Sequence, residues 1–595
     1  MKRLCWLVLL ILISTPVLAV PDRPEVIKRG DYEALRAYGA ELIEAWRDDE
    51  DIEAISIVVV DNQQIVWAAG FGTADVERKI PATVQTGYGS GALSSLFTAV
   101  AVMQLVEQGK VELDAPVSRY LPDFKIRSRY PATVNCTVRQ LLTHHAGLPA
   151  NLLKGMWSKN PETLEALMRQ LPAENAAFAP GYVFAQSNLG YSVLGRMIEK
   201  IAGVPFAKYM DERVLSPLGM KQSSFAAEKL ALAKGYKKGK VKDHLWPRDT
   251  PALGLATTAI DLGRFLQASF NNGNFAGKSV WSENSGRELM RVQNADVALD
   301  LDRDVGLGWQ LSGVDIVGGG VVASRVGATL LHRSRITMLP QHKLGIAILS
   351  NSTNGFRAEE NIERELLALA LEIKAGIAQP KETPTSTPLP APIAAFAPVY
   401  ATNIGLVSVR PDGANYRANV MGWDLKLTPR KDQWFAIEYN FFGFIPIKLD
   451  WIADVAVAPV QVGGRPAVTL LYKNQRTLFG IDYVAREPDK VWLARVGRYE
   501  VVARDELLDQ MEVTSGELKM DGGQLVFAYR LPWKLPLTLS VPIQPLDAET
   551  AIIPGLGTGL NETVRVVKTG EEERLRYSGY ELERVSEPDG LAQSY

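Results

Sequence analysis

The stretch GYGSGALSSLFTAVAVMQLVEQGKVEL, residues 87–113, decides how the first half of the chain is interpreted. Its central part, LFTAVAVMQLVEQG at 96–109, has the length and the apolar spacing of a helix. Ser90, Ser94 and Ser95 lie where this helix is expected to begin. Because a serine oxygen readily accepts backbone N–H groups at a helix N-terminus, we expect a capping role for these serines.

Strand-like segments flank this helical region on both sides. AISIVVVDNQQIVWAAGFG at 54–72 precedes the region, and KLGIAILSN at 343–351 follows it. A helical pattern, AEENIERELLALALEIK at 358–374, comes last. This order predicts an α+β domain over residues 20–375, in which early and late strands pair in one antiparallel sheet beside a cluster of helices.

A change in composition predicts a domain boundary after this region. The segment GIAQPKETPTSTPLPAPI, residues 376–393, is rich in proline and threonine and is typical of a stiff, exposed linker. Short alternating runs with PDG, DGG and TGE turn signals follow it. They predict an all-β C-terminal region: either two barrel-like domains, at 394–487 and 488–595, related by duplication, or one larger β sandwich.

The N-terminal residues and the net charge bear on location and partners. MKRLCWLVLLILISTPVLAV at 1–20 has a basic start, an apolar run and small residues before a cleavage position after Ala19. This pattern predicts a signal peptide at 1–19 and an exported protein of the periplasm or cell envelope, with an uncleaved anchor as the alternative. No later segment predicts a membrane span. A formal net charge of -2 and the lack of a dense Lys/Arg stripe argue against nucleic acid as a partner.

Several stretches of the first half resemble the serine β-lactamase and penicillin-binding-protein superfamily, especially its class C β-lactamase-like branch of esterases and D-aminopeptidases. They include TVRQLLTHHAGLP at 137–149, QSNLGYSVLGRMIEKIAG at 186–203 and GLATTAIDLGRFL at 254–266. The resemblance covers about half of the chain, from about residue 55 to 351. It implies a β-lactamase/transpeptidase-like fold and the chemistry of a serine hydrolase.

The family motif that supplies the nucleophile is altered in this chain. The family has S-x-x-K at a helix start, followed after one residue by F-T-A, which here occupies residues 97–99. Counting back puts Ala92 in the serine position and Ser95 in the lysine position. The resemblance implies a serine hydroxyl that is activated by the lysine amine. Neither group is present, so we do not expect this chemistry at these positions.

The other two motifs are also altered. In the family's Y-x-N motif, Gln186 replaces the tyrosine that carries a proton, whereas Asn188, the substrate-contacting member, is retained. The K-T-G or H-x-G motif of a sheet-edge strand aligns with residues 325–327. Arg325 keeps the positive charge and Gly327 keeps the glycine. An arginine can bind a carboxylate, but it stays protonated and so cannot transfer a proton.

The five histidines do not form a recognisable metal or catalytic pattern. Neither H-E-x-x-H nor a Cys/His ligand spacing occurs in the sequence, so we expect no metal and no cofactor. His144 aligns with a structural position of the family, and His145 is its neighbour. We expect a core or surface role for His332, which lies beyond the third motif.

The sequence leaves several functions open. The first is an exported pseudoenzyme that binds a peptidoglycan-type peptide or an envelope protein through a remnant cleft formed by Ser94, Asn188, Arg325 and Gly327. The second is an active serine hydrolase, an esterase, β-lactamase or D-peptidase, that uses a non-standard serine near the helix start. A third is a structural protein that uses the fold as a scaffold. We favour the first, because the nucleophile and both candidate bases are replaced together.

Overall fold

The computed structural model describes residues 20–130, 135–226, 230–380, 395–441, 445–447, 455–472, 475–531, 537–570 and 572–585. The predicted signal peptide at 1–19 and the greater part of the predicted linker, residues 381–393, lie outside these described residues. Within the described ranges, no helix combines the length and the apolar character needed to cross a membrane.

The N-terminal domain contains fourteen strands and ten α-helices among its described residues. The strands are β1 (Ala54–Asp61), β2 (Gln64–Asp75), β3 (Ile80–Pro81), β4 (Tyr88–Gly89), β5 (Trp157–Ser158), β6 (Gly235–Lys237), β7 (Lys240–Lys242), β8 (Trp246–Pro247), β9 (Ala256–Thr257), β10 (Asn274–Phe275), β11 (Lys278–Ser279), β12 (Ala323–Ala328), β13 (Arg333–Leu339) and β14 (Leu344–Ser350). The helices are α1 (Tyr32–Asp49), α2 (Ser94–Glu107), α3 (Val138–Leu142), α4 (Leu164–Gln170), α5 (Asn188–Ala202), α6 (Phe206–Met210), α7 (Thr250–Leu253), α8 (Ala259–Phe270), α9 (Glu283–Leu289) and α10 (Phe356–Ala375).

A six-stranded antiparallel sheet in the order β12-β13-β14-β1-β2-β3 forms the centre of this domain. Strand β1 pairs with β14, with Ile55 opposite Ser350 and Asp61 opposite Leu344. The prediction that early and late strands pair is therefore confirmed. The apolar run of β1 is buried on both faces, as expected for a central strand that is covered on both sides.

Alternate residues of β1 enter two different cores. Val58 and Val60 pack into the larger core together with residues of α2, α5 and α8. Ile57 and Val59 face the opposite side and pack against residues of α1 and α10. The sheet thus lies between two helical layers, and α2 is buried in the larger one from residue 94 to 105. This burial explains why the 96–109 stretch is apolar on every side rather than amphipathic.

The C-terminal region contains two nine-stranded sheets. The strands of the first are β15 (Val399–Thr402), β16 (Gly405–Asp412), β17 (Asn415–Val420), β18 (Trp423–Pro429), β19 (Phe435–Phe441), β20 (Ile445–Ile447), β21 (Val455–Val462), β22 (Arg465–Tyr472) and β23 (Gln475–Asp482). The elements that follow are α11 (Lys490–Leu493), β24 (Gly497–Val501), α12 (Glu506–Met511), β25 (Ser515–Asp521), β26 (Gln524–Leu531), β27 (Leu537–Pro542), β28 (Gln544–Pro545), β29 (Thr550–Ile552), β30 (Thr563–Thr569), β31 (Glu572–Tyr577) and β32 (Tyr580–Arg584).

The two C-terminal sheets share the strand order at seven successive positions, from β18 to β21 and from β27 to β30, and differ in the order of the two strands that follow. In each sheet the first strand pairs with the last, β15 with β23 and β24 with β32. An additional pairing of β18 with β19 closes the first sheet into a barrel. The second sheet has β27 and β28 at its two edges. The C-terminal region therefore consists of two barrel-like sheets rather than one large sandwich, and the shared order is what a duplication predicts.

Both C-terminal sheets pack against the N-terminal domain. One apolar cluster combines Val183 and Leu299 of the N-terminal domain with Ile481 of the first sheet and Leu556, which precedes β30. In addition, Arg476 of the first sheet forms a hydrogen-bonded ion pair with Asp302, with an Nη2–Oδ1 distance of 2.6 Å. The region around residues 183 and 299, which lies next to the candidate cleft, is thus a junction of all three units.

Candidate ligand-binding cleft

The fold brings the first and third motif positions together. Ala92 lies in the 3-10 turn Gly91–Leu93 that leads into α2, and Arg325 lies on the edge strand β12. Arg325 Nε donates a hydrogen bond of 3.3 Å to the carbonyl oxygen of Ala92. Gly327 makes this close approach possible, because a Cβ at this position would lie 2.1 Å from the carbonyl oxygen of Ser90.

The second motif position faces the same space. Gln186, His144 and Arg325 line a small cavity of ≈ 40 Å³, which we call the inner cavity. Arg303 and Gln310 also contribute to its wall. The inner cavity therefore joins positions from the second and third motifs, while Ala92 of the first motif contacts it through Arg325. Its lining includes two arginines and no acidic side chain.

The serines at the helix start have all of their hydroxyl groups engaged with backbone carbonyls. Ser90 Oγ donates to Leu255 O at 2.8 Å, Ser94 Oγ to Gly91 O at 2.6 Å, and Ser95 Oγ to Ala92 O at 2.7 Å. The expectation that they cap the helix is wrong, since α2 has no side-chain cap. The hydroxyls of Ser94 and Ser95 donate to carbonyls of the preceding turn, a local bond that competes with capping, whereas the Ser90 hydroxyl donates to a distant part of the chain.

Two of the predicted cleft residues, Ser94 and Asn188, are not among the residues that line the inner cavity. Ser94 is fully buried, and its hydroxyl also accepts a hydrogen bond of 2.9 Å from the backbone N–H of Leu255. Asn188 begins α5, and its Nδ2 donates to Asn151 Oδ1 at 2.8 Å. These contacts fix the start of α5 and the start of α2 relative to the loops around them.

His144 and Arg325 form a close pair of buried groups. The backbone N–H of Ser187 donates to His144 Nδ1 at 3.1 Å, and Arg325 Nη2 lies 3.2 Å from His144 Nε2. Burial, and then the charge of Arg325, hold the pKa of His144 well below its usual value, so the ring is neutral. A neutral ring has one proton. Because Nδ1 accepts, that proton is on Nε2 and faces the guanidinium group.

Neither arginine of the inner cavity forms an ion pair among the described residues, although the charge of Asp300 acts on Arg303. Burial lowers the pKa of Arg325, but a guanidinium group remains charged in proteins. Arg303 lies over the ring of Phe184, 4.5 Å from the ring centroid, and burial lowers its pKa as well. In the described part of the chain, neither side chain is within ion-pair distance of a carboxylate. The inner cavity is therefore positively charged.

Asp300 is the nearest buried acid, and its oxygens are occupied. Its Oδ2 lies 2.8 Å from His145 Nε2, and its Oδ1 accepts the backbone N–H of Phe184 at 2.8 Å. On the other side of the ring, His145 Nδ1 lies 3.1 Å from Thr143 Oγ1, which in turn donates to Arg139 O at 3.0 Å. This chain of hydrogen bonds holds Phe184 in place, and the Thr143 hydroxyl is used within its own helix.

The segment that precedes β30 of the second C-terminal sheet contacts the backbone beside the second motif position, a feature that the sequence did not predict. Thr558 Oγ1 accepts the backbone N–H of Gln186 at 2.8 Å. Glu562 Oε1 accepts the backbone N–H of Ala150 at 2.8 Å, while Glu562 Oε2 accepts the hydroxyl of Tyr577. Burial raises the pKa of Glu562. Partners that are about 370 residues apart leave no local signal in the sequence.

His332 serves the core of the N-terminal domain. Its Nδ1 accepts the backbone N–H of Gly89 at 2.9 Å, and its Nε2 donates to Ala233 O at 3.1 Å. Burial lowers its pKa to about 3. A search of the described residues finds no group of three or more His, Cys, Asp or Glu side chains that could hold a metal ion.

Comparison with known proteins places this geometry in context. The family model described as Beta-lactamase matches residues 40–370. Protein flp from Staphylococcus aureus (strain COL) is 28% identical over 232 residues, which is 37% of this chain and 46% of that protein. Beta-lactamase-like protein 2 from Dictyostelium discoideum is 31% identical over 222 residues, 35% of this chain and 40% of that protein. The chain thus spans less than half of the length of these relatives.

Solved structures show the same fold. A crystal structure of SurE with D-Leu superimposes with a TM-score of 0.53 and 23% sequence identity, covering 75% of this chain and 100% of that chain. At this identity the likeness concerns the fold alone.

Proposed function

The chain belongs to the Beta-lactamase family, and we propose that it is an exported member that has lost serine hydrolase chemistry and binds the carboxylate end of a peptidoglycan-type peptide in the inner cavity. The observation that carries this proposal is the composition of the site. Ala92, Ser95 and Gln186 replace the family's serine, lysine and tyrosine, and the nearby Arg325 forms no ion pair within the part of the chain that the structure describes.

The loss of hydrolysis follows from the groups that surround the helix start. Acyl transfer needs a nucleophile within hydrogen-bond reach of a base. Ala92 has no hydroxyl, and the neighbouring serines donate to backbone carbonyls. His144 cannot serve as the base, since its Nδ1 is occupied and its Nε2 faces a guanidinium group.

The binding role follows from the two donors that remain. Arg325 Nη2 and His144 Nε2 both present N–H groups to each other across 3.2 Å, an unfavourable arrangement without an acceptor. One carboxylate oxygen can accept from both groups, and the same carboxylate neutralises the buried arginine. The volume of ≈ 40 Å³ is sufficient for this end group, and the rest of the ligand extends toward Gln186.

Calorimetry on the mature chain tests the proposal directly. The probes are a short peptide ending in D-Ala-D-Ala with a free carboxylate and the same peptide with a C-terminal amide. We expect binding of the acid, with at least tenfold weaker binding of the amide, because a charge-assisted hydrogen bond contributes roughly 1.5 to 3 kcal/mol. Mass spectrometry of the same samples should recover the acid uncleaved.

Two outcomes would contradict the proposal. Release of D-Ala from the peptide would show an active hydrolase that uses a non-standard serine. Equal binding of acid and amide, or binding that persists in Arg325→Gln, would show that the inner cavity does not recognise a carboxylate. An envelope protein would then replace the peptide as the ligand to seek.

A further inference from the structure

A second cavity lies where the N-terminal domain meets both C-terminal sheets, and we call it the junction cavity. Its volume is ≈ 150 Å³. Its walls combine apolar side chains from all three units, Val183, Leu299, Leu478 and Leu556, with the polar side chains of Asp300, Arg303, Asn403 and Thr558. The four apolar residues also belong to, or pack on, the apolar cluster that joins the three units. The junction cavity is therefore built into the assembly of the whole chain.

Arg303 is the cationic group in the wall of this cavity. It separates the junction cavity from the inner cavity, since Arg303 and Phe184 line both. The guanidinium group stacks on the Phe184 ring. Asp300 also lines the cavity, but its oxygens are bound to His145 and to the Phe184 N–H. Arg303 is thus the cationic group of the wall that can bind an anion.

We propose that the junction cavity binds a small carboxylate with an apolar body, about the size of one aromatic ring, and that Arg303 holds its carboxylate group. The size follows from the volume, because an apolar cavity of about 150 Å³ accommodates a benzene molecule. The proposal goes beyond the function proposed above: it does not involve positions 92, 95 and 186, and it holds whether or not the chain hydrolyses a substrate.

The charges of the wall favour a monoanion over a phosphate. One guanidinium group can neutralise one negative charge, and a planar carboxylate matches its two parallel N–H donors. The carboxylate of Asp300 lies in the same wall and would repel a second negative charge. The apolar residues on the opposite side add the hydrophobic contribution of the ligand body.

Titration calorimetry on the chain without residues 1–19 tests this inference, with phenylacetate and its neutral isostere phenylacetamide as probes. We expect phenylacetate to bind at least ten times more tightly than phenylacetamide. Arg303→Gln should abolish this preference, and Leu556→Trp should prevent binding of both probes by filling the cavity. Arg465→Gln, which changes an exposed arginine of the first barrel, is the matched control and should bind like the unaltered chain.

Each variant is first compared with the unaltered chain by circular dichroism and thermal unfolding. Equal affinities for the two probes, or an unchanged preference in folded Arg303→Gln, would overturn the inference. Loss of phenylacetate binding in Arg325→Gln but not in Arg303→Gln would also overturn it, because the carboxylate would then occupy the inner cavity. Binding of the D-Ala-D-Ala peptide is also measured in Leu556→Trp, whose junction cavity is filled. This measurement shows whether the function proposed for the inner cavity holds independently of the inference about the junction cavity.

Discussion

Arg325 Nη2 lies 3.2 Å from Nε2 of His144, and in the described part of the chain no carboxylate is within ion-pair distance of this guanidinium group. The pair is buried next to the carbonyl of Ala92, where related chains would hold a nucleophile. A buried cation without a counter-ion lowers stability. Its presence at this place is what the proposed binding of a carboxylate requires.

The first prediction compares two buried arginines on neighbouring strands. Arg325→Met should leave the free energy of unfolding within about 1 kcal/mol of the unaltered chain, or increase it, because a buried charge without an acidic partner is removed. Arg335 is the matched control, since it pairs with the buried Glu363 at 2.9 Å. Arg335→Met should lower the free energy of unfolding by about 3 kcal/mol or more, because it leaves the buried carboxylate of Glu363 without its partner.

Urea denaturation of both variants measures this difference. A large loss of stability in Arg325→Met, equal to that in Arg335→Met, would show that Arg325 is a structural residue.

A second prediction concerns the contact between β12 and the start of α2. Gly327→Ala should destabilise the chain by about 2 kcal/mol or more, since its Cβ would lie 2.1 Å from Ser90 O and the strand would have to move. Gly190→Ala is the control, because a Cβ there has only ordinary contacts from 3.5 Å and alanine favours a helix. Thermal unfolding distinguishes the two; equal stabilities would contradict the close approach of strand and helix.

A third prediction concerns the contact between the segment that precedes β30 and the backbone beside the second motif position. Glu562→Ala should expose the backbone N–H of Ala150, because the acceptor of its 2.8 Å hydrogen bond is removed. The free energy of unfolding should fall by about 1 to 3 kcal/mol, which is the cost of a buried donor without a hydrogen-bond partner. Amide hydrogen exchange at Ala150 is the measurement, with Glu562→Gln as the conservative variant and the exposed Glu572→Ala as the control. Unchanged exchange in Glu562→Ala would contradict the docking contact.

A fourth prediction concerns Glu359 of α10, whose titration should make the free energy of unfolding depend on pH. Burial raises the pKa of Glu359 to about 7, above the value of 4.5 for an ordinary glutamate. Between these two values the folded chain binds a proton that the unfolded chain does not. The contribution of Glu359 is therefore fully present below pH 4.5 and is lost as the pH rises through about 7.

Glu359→Gln keeps an acceptor for Ser350 Oγ and removes the titration. The difference in the free energy of unfolding between Glu359→Gln and the unaltered chain should change by a few kcal/mol between pH 4.5 and 7.5. Glu41→Gln, at an exposed position of α1, should show no such change. A difference that is independent of pH would contradict the raised pKa.

The sequence predicts local elements and the central sheet well, because the apolar runs of β1 and β14 and the length of the 96–109 pattern carry strong signals. It also identifies Arg325 and Gly327, since their spacing follows a known motif. Arg303 and Asp300 could not be found in this way, because they lie in an irregular segment. Thr558 and Glu562 depend on docking between distant parts of the chain, which no local pattern encodes.

The serines at the helix start illustrate another limit. Their composition and position are typical of capping residues, yet their hydroxyls donate to the carbonyls of the preceding turn and of Leu255. A serine hydroxyl can donate or accept, and only the surrounding packing decides between the two.

The most direct test of the central claim is intact-mass spectrometry of the mature chain after incubation with a fluorophosphonate probe. The unaltered chain should show no covalent adduct, whereas a folded Ala92→Ser, Ser95→Lys, Gln186→Tyr variant should gain one. A lysine at position 95 would add a second cation near Arg325. A parallel sample therefore carries Arg325→His in addition to these three changes. An adduct on the unaltered chain, mapped to any serine near the helix start, would contradict the claim that this member of the family binds without cutting.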